Sequence, residues 1–398
     1  MSNIHLSLQR QCIRTMIIVF ITVIFSASLQ AQFRFSKVKP EVIEYTISSR
    51  ILNEERKITI YKPSVHPEYA EAVSPIVYTL DGDYMSVYTT AILNFLCDRF
   101  VQLPPVTVVN IENSHNSSIG RNRDLTPIVA KDSSRYKTSG GAGNFLRFIK
   151  EELLPFVEKD YKKTPYRLIV GNSLGGFFAI YAFLEHPEIF NAYIASSTAM
   201  WMDGSIYMKT VEEIIGKANA RNSHLFFSVA NETSLQPDAR KLDSLLQKKN
   251  LQGLSYQFHE YPDETHATVF LKAFYDGIRY IFYLDPPDAG KTPEEIYSLV
   301  EDQYRARSKI FGYNMSIEEV INNYGYNFIE KDIDKALKFF KWNVEKYPNS
   351  ANVYDSYGEA LLKKGDKKNA MLNYEKAFQM DPTNTAARDI VNKLKSEQ

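Results

Sequence analysis

The sequence predicts an α/β protein with a mostly parallel central sheet, helices on both faces of that sheet, and an all-helical domain after it. Three observations support this. Short apolar runs alternate with helical segments from residue 74 to about residue 283. One of these runs passes through a glycine-flanked serine into an apolar run that is too long for a strand. Beyond a break rich in proline and aspartate at 285–290, the pattern becomes wholly helical.

The elements of the first domain can be assigned in order. We predict strands, one long polar loop at 113–143, and helices at 144–161, 237–249 and 270–283, with a further buried helix after the serine. The predicted strands are 42–49 and 57–61, which pair as a hairpin, and then 74–80, 106–111, a run ending at Gly171, 192–197, 224–230 and 255–261. In such a sheet, chemistry concentrates at the carboxyl ends of the strands.

Residues 1–31 are typical of a secretory leader. Arg10 and Arg14 precede a short apolar run at 16–25, and small residues follow as far as Ala31. The apolar run is too short to span a bilayer. We therefore expect cleavage after Ala31, a periplasmic or secreted protein, and no membrane span in the mature chain.

The C-terminal part resembles helical repeats. One set of residues matches a tetratricopeptide repeat at about 351–384, and a degenerate repeat precedes it; a generic helical hairpin is the alternative. The matching residues are Tyr354, Tyr357, Gly358, Ala370, Tyr374, Ala377 and Pro382. The predicted division is a leader at 1–31, an α/β domain at 32–285, a linker helix at 286–312 and repeats at 313–398, with a protein partner as the expected role of the repeats. Lys+Arg and Asp+Glu both number 47, so nothing indicates a nucleic-acid partner.

The candidate nucleophile is Ser173 in the pentapeptide 171–175, which has the form Gly-x-Ser-x-Gly. A strand, a tight turn and a helix around this motif expose the serine hydroxyl at the top of a sheet. Gly171 and Gly175 are expected where strand and helix nearly touch, because side chains there would collide. The alternative is an ordinary turn with a capping serine.

A serine hydroxyl needs a base, and the base is usually oriented by a carboxylate. His266 is the histidine that follows a late strand and precedes the last helix of the domain, so we predict it as the base. Glu232 directly follows the strand 224–230 and is the predicted acid. Asp263, Glu264 and Asp238 are the alternatives for the acid.

The oxyanion of an acyl transfer needs backbone N–H donors. The amide of Leu174 is one candidate, and the amide of Gly82 or Asp83, in the turn after the strand 74–80, is the other. Neither a metal site nor a cofactor is expected, since the sequence has no His-x-x-x-His motif on a helix and no cysteine pair.

Several ordered motifs resemble the esterase family of α/β-hydrolases that includes enterochelin (siderophore) esterases, feruloyl esterases and mycolyltransferases. The likeness covers about residues 40–283. The matching stretches are 77–83, 121–127, 140–146, 171–176 and Trp201. This resemblance implies an α/β-hydrolase fold with Ser173 as nucleophile and His266 as base. Some siderophore esterases are thought to use a Ser–His dyad, which leaves the role of Glu232 open.

The resemblance also places Arg121, Arg123 and Trp201 along the cleft. The arginines could hold an anionic or catecholate group and Trp201 could stack on a ring, or all three could be structural. The predicted function is an exported serine esterase acting on a small-molecule or carbohydrate ester. The alternatives are an interaction protein with a retired hydrolase domain, and an acyltransferase on the same fold.

Overall fold

The computed structural model describes residues 40–62, 74–99, 103, 106–114, 117–131, 136–160, 166–217, 222–284, 287, 290–312 and 314–397. The predicted leader and part of the predicted domain boundary lie outside these residues. The described part of the chain contains eight strands: β1 (Glu41–Ser49), β2 (Glu54–Lys62), β3 (Ile76–Thr79), β4 (Thr107–Ile111), β5 (Arg167–Asn172), β6 (Ala192–Ser196), β7 (Ser223–Ala230) and β8 (Leu254–Tyr261). They form one sheet in the order β1-β2-β4-β3-β5-β6-β7-β8.

The sheet is parallel from β4 to β8, and the β1–β2 hairpin joins it antiparallel through β2 and β4. Every residue of β3, β4 and β6 is buried. Continuous apolar strands of this kind require cover on both faces of the sheet. The prediction of a mostly parallel sheet with helices on both faces is confirmed.

Helices supply that cover, and each packs one apolar face onto the sheet. The helices of this region are α1 (Gly82–Arg99), α2 (Ser117–Leu125), α3 (Ala142–Phe148), α4 (Leu154–Asp160), α5 (Leu174–Glu185), α6 (Tyr207–Ile214), α7 (Gln236–Lys249) and α8 (Val269–Phe282), with a short helical turn at Met202–Ser205. One core cluster lies under α3, α4, α5 and α6, and the cluster on the opposite face lies under α1 and α8. As expected, α5 is buried on nearly all sides, from Leu174 to Leu184.

Two predictions in this region are wrong in detail. The segment 113–143 is not one long loop, because it contains α2 and the start of α3. The predicted helix 144–161 is interrupted by a π-helical turn, Ile149–Leu153, between α3 and α4. Pro155 follows this turn and has no N–H to continue the α-helical ladder, which explains a change of hydrogen-bonding pattern there.

The C-terminal region is all-helical, as predicted. Its helices are α9 (Pro293–Phe311), α10 (Glu318–Phe328), α11 (Ile333–Lys346), α12 (Ala351–Lys364), α13 (Lys367–Met380) and α14 (Thr385–Ser396). A Cβ at Gly325 would lie 2.6 Å from the Phe340 ring, and one at Gly358 would lie 3.2 Å from the Tyr374 ring. Small residues thus sit where paired helices touch, although the assignment to tetratricopeptide repeats and the domain boundaries stay predictions.

Helix α9 joins the helical region to the sheet. Its residues Ile296 and Val300 belong to the helical core, whereas Phe311 belongs to the core beneath α1 and α8. The Phe311 ring packs edge-on to Tyr166, with ring centroids 4.8 Å apart. Arg307 donates to the carbonyl of Ile281 at the end of α8 (2.7 Å). Among the described residues, no helix is both long and apolar enough to cross a membrane.

His224, at the start of β7, lies in this junction, where its Nδ1 is 3.0 Å from the Tyr166 hydroxyl. Burial, and secondarily the charge of Arg307, lowers the pKa of His224 to about 4. Between pH 6.5 and pH 4 the unfolded chain therefore binds a proton that the native chain does not, so acidification favours unfolding.

We predict that His224→Gln removes this part of the pH dependence. Between pH 6.5 and pH 4 the wild type should lose on the order of 2 kcal/mol of unfolding free energy relative to the variant. Urea denaturation at pH 6.5 and at pH 4 measures the difference. His259→Gln, which replaces an exposed histidine on β8, is the matched control and should keep the wild-type slope. Equal slopes for wild type and His224→Gln would refute the assignment.

Candidate active site

Three residues at the carboxyl edge of the sheet have strained backbones. Asp81, Ser173 and Ser197 follow β3, β5 and β6, and their φ angles are +56°, +59° and +40°. Residues other than glycine adopt such angles at a cost of about 1–3 kcal/mol, and they do so mainly where function requires it. Positive φ angles also occur elsewhere in the chain, but these three residues share the carboxyl ends of neighbouring strands, which makes this edge the candidate site.

Ser173 occupies the tight turn between β5 and α5 that the sequence predicts. Its N–H donates to the Ser196 carbonyl (2.9 Å), and its own carbonyl accepts from Ala199 (3.1 Å) and Phe177 (2.9 Å). A Cβ at Gly171 would lie 2.2 Å from the Gly175 carbonyl group, so the expected collision at Gly171 is confirmed. The expected collision at Gly175 is wrong, because a Cβ there would come no closer than 3.4 Å to its nearest neighbour. These contacts hold a half-buried serine in a single backbone conformation.

The structure brings His266 and Glu232 together. The imidazole Nδ1 lies 2.6 Å from Glu232 Oε1, and since a carboxylate only accepts, Nδ1 is the donor. This hydrogen bond leaves Nε2 as the basic nitrogen of the ring. The Asn231 N–H donates to the Glu264 carbonyl (3.0 Å), which ties the loop after β7 to the loop after β8.

Ser197 completes this arrangement and was missed in the sequence. Its hydroxyl donates to Glu232 Oε2 (2.7 Å) and accepts from the Ala230 N–H (3.2 Å). Because Ser197 is fully buried, it fixes the second oxygen of the carboxylate. The one feature of the sequence that could have indicated Ser197 is its position directly after the carboxyl end of β6.

The alternative acids and the other histidines contact different groups from those around Glu232 and His266. The Glu264 carboxylate lies 3.9 Å from Lys272 Nζ, Asp263 is exposed, and Asp238 is buried in the first turn of α7. His259 packs against the Tyr261 ring on β8. His66 and His115 lie outside the described residues.

Both candidate oxyanion donors are at helix N-termini. Leu174 is the first residue of α5, and Gly82 and Asp83 are the first two residues of α1. The first N–H groups of a helix have no acceptor within the helix and carry its positive dipole end. We call residues 80–83 the oxyanion loop; its Leu80 N–H donates to the Val170 carbonyl of β5 (3.0 Å), which keeps the two helix starts side by side.

Arg121 and Arg123 both project from α2 but contact different partners. Arg123 binds Asp124 (2.7 Å) and Glu54 (2.7 Å), on the side of the β1–β2 hairpin. Arg121 binds Asp81 through Nε (2.7 Å) and Nη2 (2.9 Å). Burial works against its charge, but the hydrogen bonds and the charge of Asp81 raise the pKa of Arg121 above its ordinary value. These ion pairs explain why a segment without apolar periodicity folds as a helix.

Trp201 lies two residues after Ala199, whose N–H contacts the Ser173 carbonyl. The half-buried indole packs against the cluster formed by Val229, Leu235 and Ala239. This cluster flanks the loop that carries Glu232. The indole therefore supports the loop and keeps part of its surface accessible.

In the described part of the chain, no group of three His, Cys, Asp or Glu side chains is arranged to hold a metal ion. The polar groups at the site are a serine, a histidine, a carboxylate and helix-terminal amides. Such groups perform nucleophilic acyl transfer.

Comparison with known proteins agrees with this chemistry. Residues 49–281 match the family described as “Putative esterase”. The ferri-bacillibactin esterase BesA of Bacillus subtilis is 29% identical over 262 residues, which cover 61% of this chain and 89% of that protein.

Solved structures are also similar. An IroE-like serine hydrolase from Shewanella oneidensis has a TM-score of 0.60 and 30% sequence identity, and the match covers 73% of this chain and 93% of that one. An uncharacterised protein from Capnocytophaga ochracea has a TM-score of 0.60 at 19% identity, over 89% of this chain and all of that one, and shows the fold alone. The chain belongs to the Putative esterase family and has its α/β-hydrolase fold, followed by an all-helical region.

Proposed function

We propose that this chain is a serine esterase that hydrolyses a carboxylic ester through an acyl-enzyme on Ser173. The observation that carries the proposal is the hydrogen-bonded His266–Glu232 pair on the same sheet edge as the strained Ser173 turn. A capping serine in an ordinary turn needs neither the strain nor an oriented base. The arrangement therefore favours nucleophilic catalysis over a retired scaffold.

In the first half of the proposed reaction, Ser173 Oγ attacks the ester carbonyl carbon while His266 Nε2 takes the hydroxyl proton. The carbonyl oxygen becomes an oxyanion and accepts hydrogen bonds from the Leu174 amide and from the amide of Gly82 or Asp83. The ester C–O bond then breaks, and His266 returns the proton to the departing alcohol. Glu232 stabilises the imidazolium between these two transfers.

In the second half, His266 takes a proton from a water molecule, whose oxygen attacks the acyl carbon. The same backbone donors hold the second oxyanion. The bond to Ser173 Oγ breaks, Ser173 recovers its proton from His266, and the carboxylic acid leaves. Transfer to another alcohol would use the same steps with a different acceptor, so the identity of the product separates an esterase from an acyltransferase.

For the substrate, we propose the ester linkages of iron-chelating siderophores. The support is the similarity to a ferri-bacillibactin esterase over most of that protein's length. Carbohydrate esters are the competing class, and a panel containing a catecholate trilactone and an acetylated xylan would separate them. Export of the mature chain and a partner for α10–α14 remain proposals from the sequence.

We predict that Ser173→Ala lowers the kcat for p-nitrophenyl butyrate by at least about 10³-fold, because only binding and the oxyanion donors remain. Initial rates of nitrophenol release measure this. Ser244→Ala, on the exposed surface of α7, should keep the wild-type rate. Full activity of the Ser173 variant would rule out the proposal.

We predict that Glu232→Gln lowers kcat by about 10²–10⁴-fold with little change in KM, because the amide cannot stabilise the imidazolium. Ser197→Ala should lower kcat only about three- to tenfold, since it removes one hydrogen bond to the carboxylate. The same ester assay compares the two variants. If Glu232→Gln keeps kcat within about threefold of wild type, the enzyme works as a Ser–His dyad.

A further inference from the structure

We infer that Arg121 is a positioning residue that holds the oxyanion loop against the serine turn, rather than a binding group for a substrate anion. The inference rests on the proposed esterase function and concerns residues that contact one another in the structure. Sequence reasoning left Arg121 between a role in anion binding and a structural role. Its contacts favour a structural role of a particular kind, in which it acts on the reaction through the backbone of two loops.

The oxyanion loop contains one residue that must be held in place. Asp81 has a φ of +56°, a left-handed angle that is unfavourable for residues other than glycine and that contacts of its side chain can stabilise. Its carbonyl accepts from the N–H groups of Tyr84 (3.2 Å) and Met85 (2.9 Å), so the direction of the first turn of α1 depends on it. Gly82 and Asp83 come directly after Asp81, so the orientation of their amides depends on the conformation of Asp81.

The support comes from the Asp81 side chain, which is fully buried. Arg121 contacts both carboxylate oxygens, at 2.7 Å and 2.9 Å. A bidentate pair fixes the plane of the carboxylate as well as its distance. Asn113 Nδ2 donates to the same carboxylate (2.9 Å) and to Asp83 Oδ1 (2.9 Å), so it braces the loop at two points.

Arg121 also reaches the serine turn. Its Nη2 lies 3.4 Å from the carbonyl of Asn172, the residue before Ser173. A Cβ placed on Gly175 would lie 3.4 Å from Asp81 Oδ2, so the carboxylate packs against the first turn of α5. One guanidinium thus links the two loops that carry the proposed oxyanion donors.

The ion pair has an electrostatic consequence as well. A carboxylate one residue from the oxyanion donors would oppose the negative charge that develops in the transition state. Arg121 neutralises that carboxylate. Its side chain is 21% exposed and its charge is shared with Asp81, so little of that charge is available to a substrate anion. Removal of Arg121 would therefore both loosen the donors and leave a carboxylate beside the oxyanion.

The test compares Arg121→Lys and Arg121→Ala on two esters that share a leaving group, neutral p-nitrophenyl butyrate and anionic p-nitrophenyl hemisuccinate. A positioning role predicts that kcat falls about 10- to 100-fold on both esters, with KM within about threefold, because the donors act only in the transition state. Arg121→Lys should recover part of the loss by restoring the charge without the bidentate geometry.

A rise in KM confined to the anionic ester, with kcat on the neutral ester unchanged, would overturn the inference. Arg147→Ala removes an exposed arginine that is paired with Glu151; it is the matched control and should behave as wild type. Thermal denaturation checks that each variant is folded. If neither Arg121 variant folds, Asn113→Ala is tested instead. The inference predicts that this variant lowers kcat on both esters by a smaller factor. An unchanged kcat would then count against the inference.

If the proposed esterase function itself is wrong, the same assays give a different result. In that case the wild type itself would not hydrolyse either ester, or Ser173→Ala would be as active as wild type. The positioning role is overturned when the wild type is active, Ser173→Ala is inactive, and the Arg121 variants, or Asn113→Ala in their place, leave kcat on the neutral ester unchanged.

Discussion

The close approach of two backbones at Gly171 and Gly175 determines how the rest of the site is arranged. A Cβ at Gly171 would lie 2.2 Å from the Gly175 carbonyl group, so no side chain fits there. Because Gly171 has no side chain, β5 can pass directly into α5. This tight passage forces Ser173 into a left-handed conformation at a cost of about 1–3 kcal/mol. Three main-chain hydrogen bonds to neighbouring segments hold it there. Main-chain contacts therefore define the conformation of the serine turn, and the other candidate groups come from other strands of the sheet.

The parallel sheet places those candidate groups along one edge. Because β3, β5, β6, β7 and β8 run in the same direction, the segments after their carboxyl ends lie along one edge. The oxyanion loop, Ser173, Ser197, Glu232 and His266 each follow one of these strands. A hydrogen bond between the loops after β7 and β8 then brings the carboxylate to the imidazole. Strand order and the contact between these two loops thus make neighbours of Glu232 and His266, which are distant in sequence.

The strand–turn–helix around Ser173, the alternation of strands and helices, and the helical C-terminal region were all predictable, because each depends on local periodicity and on glycine. Chain order and the positions of the strand ends favour Glu232 as the partner of His266, but they leave Asp263, Glu264 and Asp238 as alternatives. The helix α2 was not predictable. Its sequence lacks an apolar stripe, and ion pairs to Asp81, Glu54 and Asp124 stabilise it instead. The partners of Arg121 and the contact of Ser197 with Glu232 were not predictable either. They join segments that are distant in sequence, and predicting them requires the order of the strands in the sheet.

The central claim is that Ser173 is the nucleophile of an ester hydrolase. It is tested most directly by treating the purified protein with a fluorophosphonate and locating the adduct by intact-mass and peptide mass spectrometry. The account predicts one phosphonyl group per chain, attached to Ser173, with competition from an ester substrate and no labelling of Ser173→Ala. An adduct on a different residue, or labelling of Ser173→Ala at the wild-type rate, would contradict it.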